Sequence, residues 1–180
     1  DTWSRRYSSG ERTSITSAPS ARCLRSISGE AEAIRFISSI ATMTGELAQL
    51  RIEPTGKVTA TMSTHSQGHG TATTMAQIFA DGLGVPYEDV TVFEGDSSRG
   101  GFSPGAAGSR QGVIAGGAAI MAAGLLAARV KQLAAHLLEV DADAVRLENG
   151  RVHVADVPEK SRTLREIAEI AYGEPLRLPP

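Results

Sequence analysis

The sequence predicts an α+β fold, a layered sheet with helices packed on one side. Three observations carry this. Residues 47–62 hold two alternating apolar runs around a turn. Two later segments place apolar residues at helical spacing. Two helix ends return into strands in the same shape, Leu83-Gly84-Val85 before Val90 and Leu138-Glu139-Val140 before Val145.

In chain order, Asp1 to Ala21 is rich in Ser, Thr and Arg and lacks a period, so loop or disorder is expected. Residues 28–40 offer a short helix, with Ala31, Ile34 and Ile37 on one face. The whole segment 1–45 is set apart as poorly ordered or foreign to the domain, and 46–180 as the domain. Ala48, Leu50 and Ile52 alternate with Gln49 and Arg51 as a strand. Pro54-Thr55-Gly56-Lys57 turns the chain, and Val58 to Met62 returns. Met75, Ile78, Phe79 and Leu83 share a helical face, and Gly82 and Gly84 end that helix.

A short strand follows at Val90 to Phe93, then an unusually long glycine-bearing loop from Glu94 to about Gly112. A long Ala-rich helix is expected from about Val113 to Leu138. Asn149-Gly150 marks a tight hairpin between 144–147 and 152–154. Thr163 caps a final helix to Tyr172, with Glu166 placed for a capping box.

Composition narrows the function. Apolar residues at 41% and charged residues at 21% exclude disorder throughout. A net charge of −2 gives no basic footprint, so nucleic acid is not an expected partner. Cys23 is the single cysteine, so neither an internal disulfide nor a cysteine metal cluster can form. The longest apolar run, Val113 to Ala128, is shorter than the roughly 20 residues of a membrane span and reads as a buried helix. The cytoplasm is the expected compartment.

Two glycine loops carry the chemistry. Ser66-Gln67-Gly68-His69-Gly70-Thr71 lies between a strand and a helix. Glycine allows close backbone approach, a helix N-terminus attracts anions, and the Gln67 amide suits an oxo group or a pterin edge. Alternatively the glycines only turn the chain and Thr71 or Thr73 caps the helix. His65 and His69 stand four apart, but without helix between them a hydrogen-bonding role outweighs zinc. The second loop, Gly105-Ala106-Ala107-Gly108-Ser109-Arg110-Gln111, enters the long helix and is suited to phosphate, with Arg110 forking onto its oxygens. The other reading is an N-cap serine beside a solvated arginine. Asp96 reads as an Asx-turn more than as a metal ligand.

Taken together, these motifs resemble a known family. The series runs Gly56-Lys57-Val58, Ser66-Gln67-Gly68-His69-Gly70-Thr71, Ala76-Gln77-Ile78 and Leu83-Gly84-Val85-Pro86. It continues through Asp89-Val90, Gly95-Asp96-Ser97, Gly105 and Gly108-Ser109-Arg110. It is similar to the molybdopterin-binding large subunit of the xanthine dehydrogenase and aldehyde oxidase family, in its carbon monoxide dehydrogenase large-chain form. That family runs G-Q-G-H-x-T, A-Q-I, L-G-(I/V)-P, G-D-T and G-S-R in the same order. Ser66 stands where the family has its first glycine.

The resemblance implies a molybdenum hydroxylase that places oxygen from water on an aldehyde, a purine or another heterocycle. It implies molybdopterin with molybdenum, in the cytosine dinucleotide form. Its partners would be iron–sulfur and FAD-binding subunits and the remainder of the large subunit. Gln67, Gly68 and His69 would line one side of the cofactor, and Gly108, Ser109, Arg110 and Gln111 would hold its pyrophosphate or cytidine part. No residue receives a catalytic or metal-ligating role, because the family's G-x-G-E glutamate has no match here. The chain is therefore expected to be a fragment of a larger subunit, with 46–180 a partial cofactor-binding domain, and inactive alone. The alternative is a non-catalytic phosphate- or nucleotide-binding module.

Overall fold

A computed structural model describes residues 34–38, 45–155, 157–174 and 178. Cys23 and the expected loop at 1–21 lie outside the described residues.

The first sheet has the order β1-β2-β3-β4, formed by Ile34–Ser38, Glu46–Ile52, Val58–Met62 and Val90–Glu94. The expected hairpin is present: β2 and β3 pair antiparallel, with Leu50 opposite Ala60. Its turn closes through the Gly56 N–H on the Glu53 carbonyl at 2.8 Å. Strand β4 pairs parallel to β3, with Met62 opposite Glu94. A parallel pair needs a crossover, and helix α1, Thr71–Leu83, supplies it.

The helix expected across 28–40 is not formed where the chain is described. Ile34–Ser38 is instead strand β1, antiparallel to β2 with Phe36 opposite Ala48. A short isolated helix gains little, whereas Ile-Arg-Phe-Ile is β-prone and β2 offers a free edge. Residues 28–33 and 39–40 lie outside the described residues.

Helix α2, Gly116–Leu138, opens from a wider π turn at Gln111–Ala115. Its buried face is mostly alanine: Ala118, Ala119, Ala122, Ala123, Ala134 and Ala135, with Leu126 and Val130. Small residues let α1 approach closely, so that a Cβ at Gly82 would lie 2.7 Å from the Ala123 Cβ. Both helices cover the face of the first sheet from which Ala48, Leu50, Val58, Ala60 and Met62 project.

The expected α+β layering is present, with its strands in two sheets. The second return after a helix, at Val145, enters a separate sheet β5-β6-β7, formed by Val145–Glu148, Arg151–Val154 and Val157–Thr163. Strand β7 reads Val-Pro-Glu-Lys-Ser-Arg-Thr and shows no apolar alternation, which is why the pattern alone passes over it. The β5–β6 turn forms at Asn149 and Gly150, with φ of 51° and 68°. Helix α3, Leu164–Gly173, carries the full capping box between Thr163 and Glu166.

Gly84 joins these parts. It ends α1 at φ 58°, and its carbonyl accepts the Gly150 N–H at 2.8 Å. A Cβ there would strike the Leu147 carbonyl oxygen. Gly84→Ala should therefore cost roughly 1–3 kcal/mol, read as a lower midpoint in denaturant.

Thr163→Ala should cost about 1 kcal/mol through loss of the cap. The cap also depends on pH. The Thr163 backbone N–H holds the Glu166 carboxyl below the usual glutamate range. Its contribution is present above the ordinary value and is lost as pH falls through the lowered one. Acid titration of wild type against Glu166→Gln should show this: the wild-type advantage disappears at low pH.

Candidate functional site

Because β3 and β4 lie side by side and parallel, the loops that leave their carboxyl ends emerge together. Residues 63–70 follow β3 and lead into α1, and residues 95–110 follow β4 and lead into α2. In open α/β sheets this is the edge where ligands bind. Here the two loops are also bonded to each other. The Gly95 N–H donates to the Thr64 carbonyl at 3.1 Å, and the Ser66 N–H donates to Glu94 Oε1 at 2.9 Å.

Gln111 ties them further. Its Nε2 donates to Thr64 Oγ1 at 2.6 Å and to the His65 carbonyl at 2.7 Å. Its Oε1 meets His69 Nε2. His69 Nε2 also lies 2.8 Å from Thr71 Oγ1, and its Nδ1 accepts the Gln67 N–H at 3.3 Å. His65 and His69 do not act as a pair: the His65 side chain packs along Gly95 and Gly105 instead. Among the described residues no three His, Cys, Asp or Glu side chains are grouped to hold a metal.

Arg110 points inward. It is 5% exposed and meets Glu46, 1% exposed, at 2.7 Å. The same Nη1 reaches Ser103 Oγ and the Gly105 carbonyl, and Nη2 donates to the Gly45 carbonyl at 2.8 Å. The guanidinium is thus neither forked outward nor solvated. The cause is Glu46: a buried carboxylate is costly unless paired, and Arg110 supplies the pair. The sequence reading missed Glu46, Thr64 and Ser103. A signal was available, since Glu46 shares the inward parity of Ala48 and Leu50.

Other expected residues stay at the surface. Gln67, Gly68, His69, Gly108 and Ser109 are exposed. The Gln67 carboxamide makes no hydrogen bond to another described residue. Gly68, Gly70 and Gly108 have φ of 96°, 76° and 51°, and a Cβ on any of them would meet only open space. Ser66, in the place of a glycine, accepts the Gly68 N–H on its hydroxyl at 3.2 Å. Asp96 forms the turn: its Oδ1 accepts from the Ser98 N–H and hydroxyl at 2.9 and 2.6 Å. That hydroxyl, with the backbone bond and nearby Arg99, holds the Asp96 carboxyl below the usual range.

Neither helix start is capped by a side chain, and neither has an acidic residue in its first turn. At the start of α2 the Ser109 carbonyl accepts the Gly112 and Val113 N–H groups, both at 3.1 Å. The positive ends of two helix dipoles meet at one glycine-lined edge, beside the exposed Gln67 side chain. That arrangement suits an anion carrying a polar heterocycle.

The family of molybdopterin cofactor-binding domains matches residues 25–179. The carbon monoxide dehydrogenase large chain of Afipia carboxidovorans is 41% identical over 128 residues, 71% of this chain and 16% of that relative. The nicotine 6-hydroxylase large subunit of Paenarthrobacter nicotinovorans is 33% identical over 152 residues, 84% of this chain and 19% of that one. Among solved structures, quinoline 2-oxidoreductase from Pseudomonas putida 86 superposes with a TM-score of 0.68 at 45% identity, over 75% of this chain and 17% of that one. The chain belongs to the molybdopterin cofactor-binding family of the carbon monoxide and xanthine dehydrogenases. It spans 16 to 19% of the length of the curated relatives named here.

The buried pair gives a direct test. Arg110→Met leaves the Glu46 carboxylate buried alone and should cost about 3–5 kcal/mol in denaturant unfolding. Glu46→Leu combined with Arg110→Met should recover most of that loss.

Proposed function

We propose that this chain supplies the cofactor-gripping part of a molybdenum hydroxylase that oxidises an aldehyde, a purine or another heterocycle. The observation that carries this is the convergence of two uncapped helix starts at the carboxyl ends of adjacent parallel strands, bonded through His69 and Gln111. The fit is favourable: the positive ends of two helix dipoles face an edge whose glycines leave room for a ligand. When bound, molybdopterin would supply the redox-active molybdenum and the route by which water provides oxygen.

The protein's own share is binding and orientation. Gln67 offers its carboxamide, with Gly68 and His69 beside it, to the pterin side. The backbone around Gly108, Ser109 and Gln111 receives the pyrophosphate of a cytosine dinucleotide form. Arg110 acts from behind, holding that backbone in place through Glu46. Of the carboxylates near the site, Glu46 holds Arg110 and Glu94 accepts the Ser66 N–H, each through one oxygen, and the second oxygen of each is buried without a partner among the described residues. In this reading the general base comes from another part of the enzyme, in keeping with the lack of a G-x-G-E match in this sequence, and this chain alone turns nothing over. Iron–sulfur and FAD-binding subunits would take the electrons, in the cytoplasm. The relatives' names, which refer to carbon monoxide, nicotine and quinoline, support a small-molecule oxidation.

The test is cofactor loading in the chain co-expressed with the remaining large-subunit segments. Gly108→Asp keeps a residue tolerant of positive φ but adds a charge where pyrophosphate would lie. Bound molybdenum and pterin should fall at least about tenfold, since like-charge juxtaposition costs several kcal/mol. Undiminished loading in both Gly108→Asp and Gln67→Ala would reject the assignment. Tight binding of cytidine nucleotides by the isolated chain, measured by calorimetry, would instead favour a stand-alone nucleotide module.

A further inference from the structure

The bonds around Gln111 decide which nitrogen of His69 carries the proton. The His65 carbonyl can only accept, so the group of Gln111 that faces it is the NH₂. The opposite end of that amide is then an oxygen, which can only accept from His69 Nε2. Nε2 must therefore be protonated. Nδ1 faces a backbone N–H, that of Gln67, and must be unprotonated to receive it. Each assignment forces the next, and all four groups are satisfied by one arrangement. Thr71 Oγ1, 2.8 Å from Nε2, is a second acceptor for the same hydrogen.

We propose that Gln111 fixes His69 as the neutral Nε2–H tautomer, and that His69 in this form is a positioning residue. Its Nδ1 anchors the Gln67 N–H and so sets the turn from which the Gln67 carboxamide projects. Both ring nitrogens are spent within the protein. The ring is a strut between the loop after β3 and the start of α2, and the ligand-facing group of that loop is Gln67. The tautomer assignment stands on hydrogen bonds alone. Its consequence for Gln67 as a cofactor contact rests on the proposed function above.

The experiment uses the full chain, labelled with nitrogen-15 and without cofactor. Long-range proton–nitrogen spectra distinguish a protonated from an unprotonated ring nitrogen. Wild-type His69 should show one protonated Nε2 and one unprotonated Nδ1. Gln111→Met should give mixed tautomers at His69, with the other histidines unchanged. Exchange of the Gln67 amide should rise about fivefold in His69→Leu, the protection of one ordinary hydrogen bond. A wild-type Nδ1–H signature would overturn the proposal. So would an unchanged His69 signature in folded Gln111→Met, or unchanged Gln67 exchange in His69→Leu. If Gln111→Met fails to fold, the wild-type spectrum and His69→Leu still decide it. None of these readings needs cofactor, so their failure is separable from a failure of the loading experiment.

Discussion

The structure turns on how helix α2 is bolted to the sheet. Arg110 and Gln111, consecutive at its start, take hold of Glu46 and Thr64. Those two partners lie two residues beyond the Ala48–Met62 pair, Glu46 at the start of β2 and Thr64 just past the end of β3, and both are buried. The helix is therefore fixed at its first turn, by an ion pair and an amide that are both almost wholly buried. A buried carboxylate and a buried guanidinium are each unfavourable alone. Together they make one location of the helix start far better than any other. The π turn at Gln111–Ala115 sits at this anchor, and such turns are frequent at functional sites.

This anchor engages the side chains of Arg110 and Gln111 with the sheet and places no side chain over the helix start. A helix start is commonly stabilised by Ser, Thr, Asp or Asn folding back on its N–H groups. Helix α3 does this with Thr163. Helices α1 and α2 do not: each begins without a side-chain cap, and Gly70 and Arg110 stand at the cap positions. The protein forgoes a side-chain cap at the two helix starts on the proposed ligand edge and keeps one at the third. The contrast within one chain supports reading the two uncapped starts as a binding edge.

Local chemistry was legible in the sequence; pairing between distant segments was not. The β2–β3 hairpin, α1 with its glycine end, the Asn149-Gly150 turn and the Thr163 capping box each depend on neighbours a few residues away. Strand β1 took a sheet edge that only the fold provides, and β7 is held by β6 in spite of its polar sequence. The site divides in the same way. Glycine loops before helices were visible as anion-binding shapes. Their meeting required the parallel pairing of β3 with β4, and the inward turn of Arg110 required Glu46, 64 residues earlier. An acidic residue at an inward strand position was the one local sign of that partner.

Helix α2 shows how far composition can mislead when geometry is absent. With its π turn it is 28 residues long, with a mean hydropathy of 1.9 in its most apolar window, enough by length and composition to cross a membrane. Its placement explains that composition differently. Alanines occupy the face against α1 and the first sheet, while Val113, Ile120, Met121 and Leu125 are exposed. Small residues inside bring α1 and α2 into close contact at Gly82 and Ala123, so the helices form one closely packed layer over the sheet. That packing matters at the other end of the helix. Arg110 and Gln111 can hold the loop ends to a fixed geometry only if the rod behind them does not shift. The alanine face and the buried ion pair are thus two parts of one constraint, the first fixing the axis of α2 and the second fixing where it begins.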